Sequence, residues 1–209
     1  MSDLLLIGGG GHCRAAIDVI EADGRFTVGG IVEKLGCKVE KILGYPVLGD
    51  DAALAELLQS IPIALIGLGQ IKSPAARIHA FSVAREAGAE FPVIASPRAH
   101  VSRHAQLSDG TLVMHGAVVN AGATIGQNCI VNSQSLVEHD ARIGDHCHIS
   151  TGARVNGGVT LGEGCFIGSG AILKNGITIG AKSVIGAGCV ILNDVPAGAF
   201  IKARGGRAG

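Results

Sequence analysis

Along the first 92 residues, short apolar runs alternate with stretches that carry apolar side chains at helical spacing. Leu4 to Ile7 reads as a buried strand, Gly8 to Gly11 as a turn, and His12 to Ala22 as a helix with Ala15, Ala16, Val19 and Ile20 on one face. Val28 to Val32 is a second strand, leading into Glu33 and Lys34. Asp50 or Asp51 can cap a short helix through Leu58, Ile63 to Ile66 is a third strand, and Ser73-Pro74 opens a helix through Ala87. Strand and helix in alternation predict a small α/β domain with a parallel sheet. Phe91 to Ile94 would be its last strand, with Ser96-Pro97-Arg98 linking onward.

From Val101 the period changes to six. Cut into sixes from Val101 to Pro196, the chain yields sixteen hexads without a gap, and every first position is Val, Leu or Ile. The fifth position is Ala, Ser, Thr or Cys in thirteen of them; the others are Val159, Ile177 and Val195. One large aliphatic and one small side chain per six residues predict short flat strands joined by tight corners. Three hexads close one triangular coil. Stacked at the ~4.8 Å strand spacing, the coils would make a prism roughly 25 Å tall.

Composition narrows the class further. Of 209 residues 33 are glycine, but glycine and proline together stay below the ~25–30% typical of low-complexity disorder, so the chain should fold. Only 3% of residues are aromatic, which makes the core aliphatic. Seventeen basic residues balance seventeen acidic ones, which argues against a nucleic-acid or polyanion surface. No run reaches the ~18 apolar residues of a membrane span, and no basic export signal opens the chain. Six cysteines without a CxxC pair then read as reduced thiols, and a cytoplasmic location is expected.

A β-helix is a scaffold, so chemistry has to come from residues that break its rhythm. The most polar segment runs from Asn132 to Asp140. In the hexad at Val137, Glu138, His139 and Asp140 take the corner positions, where side chains leave the core. A histidine there is not needed for packing. Beside a carboxylate that accepts from one ring nitrogen, the other nitrogen could take a proton from a nucleophile, although a solvated surface histidine would look the same. His148 lies nine residues on, one face further round, where it could line the same groove. His146 reads as a surface residue, and His115, one coil plus one face before His139, cannot converge with it in one prism. Histidines meeting across subunits on zinc would make a metal-dependent hydrolase or hydratase, but no ligand spacing is evident. Cys129, Cys147, Cys165 and Cys189 occupy the fifth position, where a small apolar group suffices.

In the N-terminal half, the tetraglycine stands where backbone N–H groups at a helix start can hold a phosphate. Glycines that merely turn a βα connection would serve equally. With Cys13 at the third position of GxGxxG it is not the dinucleotide fingerprint, so a mononucleotide fits better than NAD. His12, Glu33, Lys34 and the Gly67-Leu68-Gly69-Gln70 loop would lie over the same strand edges.

A glycine-loop α/β domain followed by an unbroken hexapeptide prism resembles the bacterial sugar acyltransferases that include nucleotide-linked 4-amino-sugar N-acetyltransferases and relatives of sialic acid O-acetyltransferase. The motifs that carry the resemblance are Ile7-Gly8-Gly9-Gly10-Gly11-His12, Glu33-Lys34, and Val137-Glu138-His139-Asp140 with Ile143-Gly144-Asp145 and His148 following. It implies a half-Rossmann-like α/β domain over residues 1–95 that binds the nucleotide sugar and a left-handed parallel β-helix over residues 96–209. It also implies acetyl-coenzyme A as donor, a nucleotide-linked amino sugar as acceptor, no metal, and a homotrimer with active sites between subunits. By the same resemblance, His139 is the general base, Asp140 orients it, and His148 stands near the thioester. Gly157 supplies an N–H to the thioester oxygen, and Ala187, Lys202 and Arg204 help to hold coenzyme A. Gly8, Gly10, Gly11, His12, Glu33, Lys34 and Gly69 contact the acceptor. Two features depart from the family pattern: Glu33-Lys34 replaces an acidic pair, and Phe200 to Arg204 replaces the usual close after the last coil. An O-acetyltransferase and a non-catalytic sugar-nucleotide scaffold are the competing readings.

Overall fold

The computed structural model describes residues 1–34 and 36–203. Its N-terminal domain is built on β1 (Ser2–Ile7), α1 (Gly11–Asp23), β2 (Phe26–Val32), β3 (Lys41–Ile42), β4 (Tyr45–Gly49), α2 (Leu54–Ser60), β5 (Ile63–Ile66) and α3 (Ala75–Glu86). The sheet order is β3-β4-β2-β1-β5, parallel except for the β3–β4 hairpin. Both faces of β1 are buried: Leu4 and Leu6 pack with Cys13, Ala16, Ile17 and Ile20 of α1, and Leu5 and Ile7 pack with Leu54, Leu58, Phe81 and Ala84 on the other side. A strand covered on both faces is continuously apolar rather than alternating, as Leu4 to Ile7 is. The β3–β4 hairpin is absent from the sequence expectation because Lys41 to Gly49 is too short and too polar to show a period. It turns at Leu43-Gly44, both at positive φ.

The second half is a triangular parallel β-helix. Each strand is two residues, the sixth of one hexad and the first of the next, and the strands stack 18 residues apart into three faces. The first face carries His100–Val101, Val118–Val119, Leu136–Val137, Arg154–Val155, Ile172–Leu173 and Val190–Ile191. The second runs from Gln106–Leu107 to Thr178–Ile179. The third holds Ile94–Ala95, Leu112–Val113, Ile130–Val131, His148–Ile149, Phe166–Ile167, Val184–Ile185 and Phe200–Ile201. The first-position aliphatics fill one continuous core with the small fifth-position residues. Each such side chain contributes about 1.5–3 kcal/mol when fully buried. The fourth position takes a left-handed backbone at nearly every corner. Glycine is the usual occupant, but Asn128, Gln134, Asp140, His146 and Lys182 hold it with φ of 50 to 59°. A side chain in that conformation is disfavoured, so these five corners are worth inspecting for what keeps them there.

Two expectations change at the ends of the prism. Ile94 does not close the α/β sheet: Ile94–Ala95 pairs with Leu112–Val113 and begins the third face, because the hexad phase already runs through Ala95. At the far end the sixteenth hexad is two residues short. Val195 bridges Ile179 and Phe200–Ile201 pairs with Val184–Ile185, 16 residues on rather than 18. Asp194 closes the clipped corner by accepting from the Thr178 N–H at 2.8 Å.

The α/β domain sits astride the third face. Outward-pointing Ile94 and Leu112 join α1 in one apolar cluster. Polar clasps hold the two bordering corners. At one, Ser96 Oγ meets His115 Nδ1 at 2.6 Å and His115 Nε2 donates to Asp18 Oδ2 of α1 at 2.7 Å. This serine, histidine and aspartate are a structural clasp, since Ser96 is buried and also accepts from the Arg98 N–H. At the other corner, the fully buried Arg77 of α3 donates to Leu68 O and, at 2.7 Å each, to the O and Oδ1 of Asn128. Among the described residues no carboxylate pairs with Arg77; burial lowers its pKa to about 10. The left-handed turn at Asn128 is thereby accounted for: it presents two acceptors to one guanidinium.

Candidate active site

The corner at His139 joins the first and second faces, the edge of the prism opposite the α/β domain. His139 Nδ1 donates to Asp140 Oδ2 at 2.9 Å, and the His139 N–H is held by Glu138 Oε2 at 3.0 Å. Asp140 owes its left-handed backbone (φ 58°) to the corner, and this turns its carboxylate back toward the preceding ring. The side chain is solvent-exposed, and the pKa of His139 rises above its ordinary 6.5, chiefly through the hydrogen bond to Asp140 and then through the charges of Asp140 and Glu138. Its Nε2 lies over Gly157, one coil on. A Cβ at residue 157 would stand 2.6 Å from that nitrogen, so only glycine leaves room for the ring. Among the described residues nothing accepts from the Gly157 N–H. The missing side chain leaves a gap beside the His139 ring, next to a backbone donor that is unpaired among the described residues.

His148 is elsewhere. It projects from the third face, buried against the loop that follows β5, with both ring nitrogens engaged: Nδ1 donates to Gln70 O at 2.8 Å and Nε2 accepts from Asn132 Nδ2 at 3.1 Å. Burial lowers its pKa to about 4, opposed by the Gln70 hydrogen bond. His12, in the first turn of α1, faces it with ring centroids 6.0 Å apart; its Nε2 is enclosed with no partner among the described residues, and burial followed by the charge of Arg77 lowers its pKa to about 3. Both rings are therefore neutral at pH 7. They line a cavity of about 420 Å³ with Gly69, Gln70, Ile71, Ser150, Phe166 and Ser169. Ser150 and Ser169 hydrogen-bond each other at 3.0 Å. Sequence reasoning passed over these serines, and it named Asn132 and Gln70 only as members of a polar segment and of the loop after the third strand. Ser150 stands at the second hexad position, where glycine is the most frequent residue, a signal that could have found it. His146, expected at the surface, is buried beside Phe81 with Nδ1 accepting from Asn128 Nδ2 at 3.0 Å.

The glycine loop opens onto the C-terminal edge of the sheet. Gly8 (φ 101°) donates to Val32 O and is roofed by Leu68, while the Gly9 N–H is taken by Glu33 Oε2 at 2.7 Å. Glu33 also accepts from the Lys34 N–H at 2.9 Å. The donors left for an anion are the N–H groups of Gly10, Gly11 and His12, beside which space is open at both glycines. An apolar slot of about 280 Å³ runs from Gly8 and Glu33 between α2 and α3, past Leu54, Leu68 and Ala80. Gly69 lies against His12, linking this loop to the His12–His148 cavity. Ala187 sits on the corner between the third and first faces, in the column of Ser169, a full face away from Gly157. Lys202 follows the last strand with its ammonium 5.5 Å from the Phe200 ring. Arg204 lies outside the described residues.

The His139 corner and the pocket of His12 and His148 lie on opposite sides of the prism, with the first face between them. The outward row of that face is His100, Val118, Leu136, Arg154, Ile172 and Val190, apolar except at His100 and Arg154, and Val190 is 60% exposed.

Comparison with known proteins agrees with this architecture. Residues 3–78 match the family described as PglD N-terminal domain, and residues 140–175 and 158–193 match Bacterial transferase hexapeptide (six repeats). Among solved structures, a mutant perosamine N-acetyltransferase from Caulobacter crescentus, in complex with CoA and GDP-perosamine, is 34% identical. That alignment covers 97% of this chain and 94% of that one, with a TM-score of 0.91. The acetyltransferase domain of PglB from Neisseria gonorrhoeae, in complex with acetyl coenzyme A, is 32% identical over 96% of each chain, with a TM-score of 0.87. WeeI from Acinetobacter baumannii, 20% identical with a TM-score of 0.82, shares the fold. No curated protein matches the sequence. The chain belongs to the acetyltransferases that join a PglD-type N-terminal domain to a left-handed hexapeptide β-helix.

Proposed function

We propose that this protein transfers the acetyl group of acetyl-coenzyme A to the amine of a nucleotide-linked amino sugar. The observation that carries the reading is the His139–Asp140 pair with its free Nε2 over the side-chainless Gly157. The complexes of the Caulobacter and Neisseria relatives support the two substrates, and GDP-linked 4-amino sugars are the first to test. Acetyl-coenzyme A supplies an activated thioester. The gap at Gly157 suits that group: a carbonyl can approach its N–H without meeting a side chain. His139 Nε2 removes a proton from the attacking amine, and Asp140 stabilises the imidazolium that results. The same proton is available to the departing thiolate, so no covalent acyl-enzyme is needed. The open N–H groups of Gly10, Gly11 and His12 would take the sugar diphosphate, and the apolar slot beside Glu33 the nucleoside. His148, with both nitrogens engaged, shapes the pocket by holding the Gln70 loop.

We further infer a homotrimer. Packing of the first face, apolar along its outward row except at His100 and Arg154, against a second prism would bring His139 of the partner subunit to the cavity beside His12, completing a site that neither copy has alone. The functional test is thiol release from acetyl-coenzyme A with a panel of GDP-, UDP- and CMP-linked sugars. Release with an amino sugar is expected; release only with hydroxyl acceptors would make this an O-acetyltransferase, and none at all would refute transferase activity.

A further inference from the structure

The gap over Gly157 has a second wall. His139, Gly157 and Asn175 occupy the same corner position on three successive coils, held in register by Gly158 N–H to His139 O and Gly176 N–H to Gly157 O, both 2.9 Å. The point a Cβ of residue 157 would fill lies 2.6 Å from His139 Nε2 and 3.2 Å from Asn175 Nδ2. The ring leans into the gap from one coil and the amide from the other. Asn175 is exposed, and among the described residues its side chain makes no hydrogen bond, so its donors are free. Its presence does not serve the fold, because the position is a solvent-facing corner whose turn is made by Gly176 (φ 72°).

We propose that Asn175 is a catalytic residue, the second donor of an oxyanion hole whose first donor is the Gly157 N–H. This rests on the acetyl transfer proposed above. In that reaction the amine lone pair forms the new C–N bond at the thioester carbon, and the carbonyl π pair moves onto oxygen. His139 Nε2 takes the proton from nitrogen. The oxygen pair then re-forms the carbonyl, the C–S bond breaks, and the thiolate takes that proton to leave as coenzyme A thiol. Negative charge on oxygen exists only in the middle of this sequence, and donors fixed beforehand around that point lower the barrier without tightening substrate binding. A neutral amide suits the place: unlike lysine, it adds no positive charge that would depress the pKa of His139 two coils away.

The test is Asn175→Ala and Asn175→Asp, assayed by thiol release and by thermal melting. We expect kcat to fall about 10²-fold for Asn175→Ala, the lower range for removal of one oxyanion donor. KM for both substrates should stay within about twofold, with Tm and the acid limb of the pH profile unmoved. Asn175→Asp should lose at least as much, since a carboxylate opposes the oxyanion. A kcat within twofold of wild type overturns the proposal. So does a raised KM for acetyl-coenzyme A with kcat intact, which would make Asn175 a contact for the pantetheine arm, or a kcat loss accompanied by a fall in Tm. If wild-type protein acetylates no amino sugar, the failure belongs to the transfer reading instead.

Discussion

His139 and His148 lie nine residues apart on the same repeat, yet their surroundings drive them in opposite directions. His139 stands in solvent at a corner, with a carboxylate on Nδ1 and, among the described residues, no partner on Nε2; its affinity for a proton is raised. His148 points from a strand into the domain interface, with both nitrogens committed and its pKa lowered to about 4. The difference is one of hexad phase. Third-position side chains leave the prism at a corner; sixth-position side chains stand on a face, and on the third face they are covered by the α/β domain. The same imidazole is therefore more basic than usual in one phase and held neutral by burial in the other.

The largest effect should come from removing the proposed base. His139→Asn or His139→Ala is expected to lower kcat by about 10²–10⁴-fold, while the same replacement at His148 should act first on KM for the sugar nucleotide and on Tm. Equal kcat losses at both positions would erase the distinction drawn here. Gly157→Ala places a methyl group against His139 Nε2; kcat should fall about 10²-fold from the displaced ring, with Tm nearly unchanged. Wild-type turnover by this variant would show that the ring does not use that gap.

A smaller effect concerns stability and acid. His12 and His148 have folded pKa values of about 3 and about 4, below the ordinary 6.5, so the unfolded chain binds protons more readily. Their effect on stability is absent above about pH 6.5, and stability declines as pH falls from there toward the folded values. Urea melts between pH 7 and 4.5 should show this decline, and His148→Gln should flatten it; a parallel curve for the variant would remove His148 from the account. The smallest effect is on the pH profile. His139 must be unprotonated to act, so activity rises with pH through a pKa held above 6.5 by Asp140. Asp140→Asn, which keeps a residue at ease in the left-handed corner, should move the acid limb of kcat/KM down toward 6.5. An unmoved limb would mean that Asp140 does not set this pKa.

Much of the architecture was legible because it repeats. A period of six, sustained through sixteen aliphatic positions, leaves one arrangement that buries all of them. The corner role of His139 and the exceptional place of Gly157 follow from the same counting. The β3–β4 hairpin was not legible, because Lys41 to Gly49 is too short to show a period. The clipped last coil was hidden too, since Val195 keeps an aliphatic residue nearly in phase. His146 was misplaced at the surface because its hexad position says that it leaves the prism, but not what waits outside.

What the sequence determines by itself is local and periodic: the coil, its inward and outward sides, the small residues under each corner, and a histidine beside an aspartate where packing asks for neither. What tertiary structure decides is which outer face is covered. Arg77, Asn128, Gln70 and His148 look unrelated along the chain, yet they meet where α3 and the loop after β5 lie down on the third face. A repeat sets the direction of every side chain. Only the docking of a non-repeating domain can make one of its faces dry, and the loss of water there is what turns His148 into a neutral support while His139 stays free to take a proton.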